Sequence, residues 1–199
     1  YLVQVISGMP FDDFLRQRIF EPLDMKDTDF YVPPEKIERL AATYGPGKNG
    51  GLQLVDEPRK SSFAKQTRSP SGGGGLVSTA ADYMSFAQMM LNKGSLGDVR
   101  LLGCKTVELM TMNHLPPGVH PFDDVYQGFG LGVSVLLDVA QSHLPGSLGK
   151  FGWSGAANTT FWVDPQEELI GLLMLQYMPS RTCPIIEDFT VQVYQALID

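Results

Sequence analysis

Apolar residues recur at helical spacing over the first twenty positions, lose that period, regain it near residue 79, and become strand-like runs after residue 128. Tyr1 to Gly8 reads as the last two turns of an apolar helix with a glycine C-cap. A chain that opens partway along a buried helix is expected to be a fragment. A second helix starts around Pro10, places Phe11, Phe14, Leu15 and Ile19 on one face, and stops at Pro22. Residues 24–70 read as loop, with a helical piece near Glu35–Ala42 and turns at Gly45-Pro46-Gly47 and Asn49-Gly50-Gly51. Ser69 to Gly75 is a glycine-rich hinge. Thr79 and Asp82 then have the spacing of a capping box. The helix they start turns Tyr83, Phe86, Ala87, Met90 and Leu91 inward and ends near Gly94. Another, about Lys105–Asn113, presents Val107, Met110 and Thr111 and breaks at Pro116-Pro117.

Gly128 to Leu136 reads as a glycine-rich strand, Ala156 to Val163 as a second and Glu168 to Tyr177 as a third. Asp164-Pro165-Gln166-Glu167 has proline at the favoured second turn position, so the last two strands should form an antiparallel hairpin. Pro184 opens a closing helix with Ile185, Phe189, Val193 and Leu197 along one side. Helices, then a strand meander, then a covering helix predict an α+β fold, an antiparallel sheet covered by helices.

At 199 residues the chain can bury one substantial core, and one domain over 1–199 is expected. A net charge of −7 argues against nucleic acid or an anionic membrane as partner. The longest apolar run, Leu169 to Leu175, is strand-sized rather than membrane-spanning. Cys104 and Cys183 stand apart and are expected as two buried thiols, with one disulfide as the alternative; the compartment stays open. His114, His120 and His143 lack zinc-site spacing, so neither metal nor other cofactor is expected. His114 and His120 are assigned to solvent. Met89, Met90, Met110 and Met112 are read as core filler. Gly72 to Gly75 lacks the Gly-Lys-Ser/Thr ending of a phosphate loop and reads as a helix lead-in.

The chemistry-bearing stretch is Trp153-Ser154-Gly155-Ala156, read as opening an apolar strand. By itself such a triplet is most often a turn, and its order among other segments changes its meaning. Pro22–Thr28, Gly74–Asp82, Tyr126–Val133 and Gly152–Ala156 together resemble the class C β-lactamase-like serine hydrolases, which include family VIII esterases and D-alanyl-D-alanine peptidases. The resemblance covers essentially the whole chain. It implies a β-lactamase/transpeptidase-like fold, incomplete at the N-terminus. It puts Trp153, Ser154 and Gly155 at the family's Lys-Thr-Gly or His-Ser-Gly position, with Tyr126 and Phe129 lining the cleft. It makes the backbone N–H of Ala156 an oxyanion donor, a role worth roughly 3–4 kcal/mol per donor. Trp153 in place of a cation removes a group that could hold a substrate carboxylate. Small esters are therefore expected ahead of β-lactams as substrates, the indole packing on an acyl or alcohol group.

The family's nucleophile needs Ser-x-x-Lys on a helix, which brings the amine beside the hydroxyl as its base. Ser62-Phe63-Ala64-Lys65 and Ser147-Leu148-Gly149-Lys150 match on paper. The first lies in a polar stretch without apolar period, and the second contains Gly149 and follows Pro145-Gly146. The serine and base are expected upstream of Tyr1 and the chain alone is expected to be inactive. A non-catalytic scaffold of the same fold is the alternative. With N-terminal strands missing, the sheet would keep an unpaired edge, so self-association or pairing with an N-terminal partner fragment is expected.

Overall fold

A computed structural model describes residues 1–66, 70–121 and 124–198. Within it the chain divides into two compact units, Tyr1–Phe86 with Gln176–Met178, and Ala87–Leu175 with Pro179–Asp199.

In the first unit, α1 (Leu2–Ser7) ends as expected at Gly8, whose φ of 70° is left-handed and suits glycine. Helix α2 (Phe11–Leu15) follows Pro10 and continues as a π-helical turn, Arg16–Phe20. Bonds of 2.8 Å from the Glu21 N–H to the Arg16 carbonyl and from the Met25 N–H to the Phe20 carbonyl close the wider turns. Pro22 has no N–H to continue an α-helical ladder, and the widened backbone accommodates it. The consequence is that Phe20 is buried, where α-helical spacing had pointed to Ile19.

The region read as loop contains a hairpin. β1 (Thr43–Pro46) pairs antiparallel with β2 (Leu52–Asp56), so Gly45 and Pro46 belong to a strand, not a turn. Gly45 is where the Met178 carbonyl approaches, at 2.7 Å from where a Cβ would sit. On that side Tyr44 donates its N–H to the Gln176 carbonyl (2.9 Å) and accepts from Met178 (2.8 Å). These partners lie more than 130 residues away in the sequence, so local pattern could not reveal this side of the strand. The helical piece near Glu35 is a 3-10 turn, Pro34–Arg39. Of the glycine-rich hinge, Ser69 lies outside the described residues, and the rest forms a tight turn bridged between Ser71 and Gly74.

Helix α3 (Ala80–Leu91) starts at Thr79, whose Oγ1 accepts the Asp82 N–H at 3.2 Å. This is half of the expected capping box. Asp82 does not reach back; its buried Oδ2 accepts the Asp27 N–H (2.7 Å) and the Thr28 hydroxyl (2.9 Å) instead. Its carboxylate thereby anchors the Pro22–Thr28 segment.

The second unit is built on a five-stranded antiparallel sheet whose strands lie side by side in chain order. A short hairpin, β3 (Ser95–Leu96) with β4 (Val99–Arg100), and α4 (Cys104–Met110) come first. The single strand expected over Gly128–Leu136 is two, β5 (Gln127–Phe129) and β6 (Ser134–Leu136). They are joined by a turn in which Gly132 takes φ 94° and the Gly130 N–H bonds the Val133 carbonyl at 2.8 Å. After the short α5 (Val139–Ser142) come β7 (Phe151–Ser154), β8 (Thr160–Asp164) and β9 (Leu169–Leu173). The β8–β9 hairpin has the expected turn, with Asp164 opposite Leu169. Burial of every residue of β8 matches its place between β7 and β9.

Helix α6 (Ile185–Gln195) packs on β9. Its inward face is the expected one in part: Phe189 and Val193 are half-buried and Thr190 is buried, whereas Ile185 and Leu197 are exposed. The neighbouring Tyr194 stacks on Trp162 with ring centroids 5.1 Å apart and donates its hydroxyl to the fully buried Asp164 at 2.5 Å. That polar anchor sets the rotation of the helix. Met89 and Met90 are buried, but Met112 is exposed because α4 has already ended. Cys104 and Cys183 are free and exposed, against the expected burial: Cys104 opens α4 and Cys183 precedes Pro184 in a surface turn. No described helix is long and apolar enough to cross a membrane.

Candidate functional site

Trp153 and Ser154 close a strand instead of opening one. β7 runs beside β8 with Trp153 opposite Phe161 and Ser154 opposite Thr160, and the chain turns between Gly155 and Thr159. The Gly155 N–H donates to the Thr159 carbonyl (2.8 Å) and the Asn158 N–H to the Gly155 carbonyl (3.1 Å). Asn158 takes φ 61°, which asparagine tolerates better than most residues. A side chain at Gly155 would fall 2.6 Å from the Thr159 hydroxyl, which would have to turn aside for any larger residue.

Trp153 and Ser154 are exposed at this end of β7. The Ser154 hydroxyl donates to Thr160 Oγ1 at 2.8 Å, and Thr160 passes its own proton toward the Trp153 carbonyl at 3.4 Å. With its proton committed, the Ser154 oxygen remains an acceptor for an incoming donor. Ala156 is exposed in the turn, and nothing among the described residues accepts a hydrogen bond from its N–H.

The Phe129 ring meets the Trp153 indole edge-on, at 5.1 Å and 81°, although β6 lies between their strands. Small Ser134 stands opposite both Phe129 and Gly152 there. Such an aromatic pair is worth about 0.5–1.5 kcal/mol beyond the area it buries. Tyr126 is half-buried just before β5. Burial first, and Asp124 second, raise its phenol above the ordinary tyrosine range, with a Gln127 hydrogen bond and then Arg181 opposing. The structure thus brings Phe129 to the Trp153-Ser154-Gly155-Ala156 segment.

Neither Ser-x-x-Lys match places an amine against its serine. The Ser147 hydroxyl donates to Glu167 Oε1 at 2.9 Å, while Lys150 Nζ donates to the Pro145 carbonyl at 3.0 Å. The Lys150 ammonium lies 5.4 Å from the Trp162 ring centroid and 5.1 Å from that of Tyr194. Burial lowers its pKa and Asp164 opposes the shift. A depressed lysine pKa is expected of a base, but this lysine is turned toward two rings and a carbonyl. Ser62 is exposed on a single 3-10 turn, Ser62–Ala64, and Lys65 beyond it is exposed too.

His114 is exposed, as expected, but His120 is half-buried, its Nδ1 3.3 Å from the Gln127 carbonyl. No cluster among the described residues could hold a metal ion. Sequence reasoning passed over Asn113, Asn158 and Thr160, which shape this end of the sheet. Only the Asn158-Thr159-Thr160 run, with turn-forming residues between two apolar segments, carried a signal for any of them.

The comparisons with known proteins bear on these features. A family model described as Beta-lactamase matches residues 1–190. The uncharacterized protein MT1414 of Mycobacterium tuberculosis is 35% identical over 192 residues, covering 90% of this chain and 46% of that protein. An Escherichia coli protein named as a candidate D-alanyl-D-alanine carboxypeptidase is 26% identical over 194 residues, covering 90% of this chain and 42% of its own length. The chain therefore spans about half the length of the curated relatives it matches. Among solved structures, simvastatin synthase (LovD) from Aspergillus terreus superposes with TM-score 0.78 at 22% identity, over 100% of this chain and 54% of that one. EstCE1, described as a hydrolase with promiscuous acyltransferase activity, gives 0.78 at 21% identity over 98% and 52%. These likenesses establish the fold, and with the family match over 190 residues the chain belongs to the β-lactamase family of serine hydrolases.

Proposed function

We propose that residues 1–199 are part of a single hydrolase domain that cleaves small esters through an acyl-enzyme, with serine and base supplied from outside this chain. The observation that carries the reading is the end of β7: an exposed indole, backed edge-on by Phe129, precedes Ser154-Gly155 and the N–H of Ala156, which has no partner among the described residues. In this reading Trp153 and Phe129 receive an apolar acyl or alcohol group, and Tyr126 lines the same wall. Ser154 contacts the substrate, Gly155 leaves room for it, and the Ala156 N–H is one of two donors to the oxyanion. The two Ser-x-x-Lys matches take no part, consistent with the partners of Ser147 and Lys150 and the exposure of Ser62.

Two alternatives have support of their own. The name of the E. coli relative points to peptidase or β-lactam chemistry, for which a cation rather than an indole at position 153 would be expected. A scaffold without chemistry would also tolerate Trp153. Self-association, or pairing with an N-terminal partner fragment, is proposed through β9, which among the described residues pairs only with β8.

Fluorophosphonate labelling of the 199-residue chain, with the modified residue mapped by mass spectrometry, tests the assignment. No labelling is expected. Stoichiometric labelling at Ser62 would overturn the exclusion of that serine and the need for an outside nucleophile. In the longer coding sequence, Ser-x-x-Lys at a helix start followed by Tyr-x-Asn or Tyr-x-Ser supports the enzyme, and their absence supports the scaffold.

A further inference from the structure

The outer edge of β5 is occupied by a side chain. Asn113, just past α4, brings its Oδ1 to 3.0 Å from the Phe129 N–H and 3.1 Å from the Leu115 N–H. The next residue, His114, donates its N–H to the Phe129 carbonyl at 2.8 Å. Both backbone polar groups of Phe129 on this edge are therefore held by two consecutive residues of one loop. Two positions on, the Leu131 N–H bonds the Met110 carbonyl at 2.8 Å and continues the strap. Gly128 is shaped to this arrangement, since a Cβ there would lie 2.5 Å from Asn113 Oδ1. These contacts converge on the residue whose ring stands edge-on to Trp153.

We propose that Asn113 is a positioning residue: its Oδ1 fixes Phe129 against Trp153, and through that wall it sets which acyl groups the hydrolase accepts. Asn113 touches no substrate. It acts by ending the freedom of an edge strand that would otherwise exchange its hydrogen bonds with water. Asparagine suits the task because one amide oxygen can accept two N–H groups at once. An aspartate would keep both bonds, whereas a leucine of similar volume would keep neither. The role in acyl selection rests on the reading of Trp153 and Phe129 as the substrate wall; the positioning itself does not.

The test separates the two. The chain is labelled with 5-fluorotryptophan, giving resonances from Trp153 and Trp162 that a Trp153→Phe variant assigns. Asn113→Leu is expected to shift or broaden the Trp153 resonance and leave that of Trp162 in place. Asn113→Asp is expected to restore the native spectrum. Should the leucine variant not fold, Asn113→Ser, whose hydroxyl falls short of the Phe129 N–H, provides the same reading. An unmoved Trp153 resonance in the non-accepting variant, or an equal disturbance from Asn113→Asp, overturns the positioning role. In the longer protein that carries the serine, Asn113→Leu should erode discrimination between butyrate and acetate esters by up to about tenfold in kcat/KM, on the scale of methylene-sized differences. The change should fall mainly on KM for the longer ester. A fluorine response without any change in ester preference would retain the strap and overturn its part in selection.

Discussion

Replacing Gly171 by alanine should be among the most damaging single-methyl additions in the sheet. Gly171 lies opposite Trp162 in the β8–β9 pair, and the indole occupies the space that a Cβ would need. An added Cβ would lie 2.6 Å from Nε1 and closer still to Cε2 and Cζ2, against ordinary contacts of 3.4–4 Å. The ring would have to move by about an ångström, and it cannot do so alone. On its other side it stacks on Tyr194, whose hydroxyl is tied to the buried Asp164, and the Lys150 ammonium lies near both rings. Overpacking costs about 1–3 kcal/mol, and spoiling the stacked pair adds about 0.5–1.5 kcal/mol. A loss of about 3 kcal/mol follows, or roughly 6–12 °C in Tm for a chain of this size. Thermal unfolding followed by tryptophan fluorescence is the assay, since Trp153 and Trp162 both lie in the second unit and report on it. Adding Trp162→Phe removes the atoms that the new methyl meets. The double variant should therefore be less destabilised than the sum of the two single variants. A Gly171→Ala protein within about 0.5 kcal/mol of the parent, the scale of an ordinary surface change, would refute the steric argument.

Two other outcomes concern acid stability and assembly. Arg39 first, and Lys36 second, hold the Asp27 carboxyl down to about 2. A carboxyl depressed on folding stabilises at pH above its unfolded value of about 3.9 and ceases to do so as pH falls through its folded value. The Asp27→Asn variant should accordingly lose less stability between about pH 4 and pH 2 than the parent when far-UV circular dichroism follows acid unfolding; identical slopes would count against the pairing. Light scattering of the isolated chain should register a concentration-dependent mass above the monomer if β9 pairs with another chain, and a monodisperse monomer would remove that proposal.

Much of the fold was written in local pattern. The glycine cap of α1, the Thr79 start of α3, the Pro165 turn and the closing helix all depend on residues within a few positions of one another, and each formed where its chemistry placed it. The α+β class followed from their order. The family was legible as well, because the order of several short segments survives where no one segment is distinctive. What local pattern could not supply was the partner of each strand. β1 pairs with β2 on one side, but on the other Tyr44 bonds Gln176 and Met178, which no local pattern points to, and β5 and β6 merged into one apparent strand until Gly132 turned the chain. Trp153-Ser154-Gly155 could be picked out from the sequence, but whether it opened or ended a strand depended on the pairing of β7 with β8. Asp82 looked like a capping acid and became an anchor for a segment 55 residues earlier. Residue types and spacing determine which backbone shapes are cheap over one or two turns. Hydrogen-bond partners and ring contacts between distant residues are decided only when the whole chain has packed, and Phe129, Trp153 and Asn113 meet through contacts of that second kind.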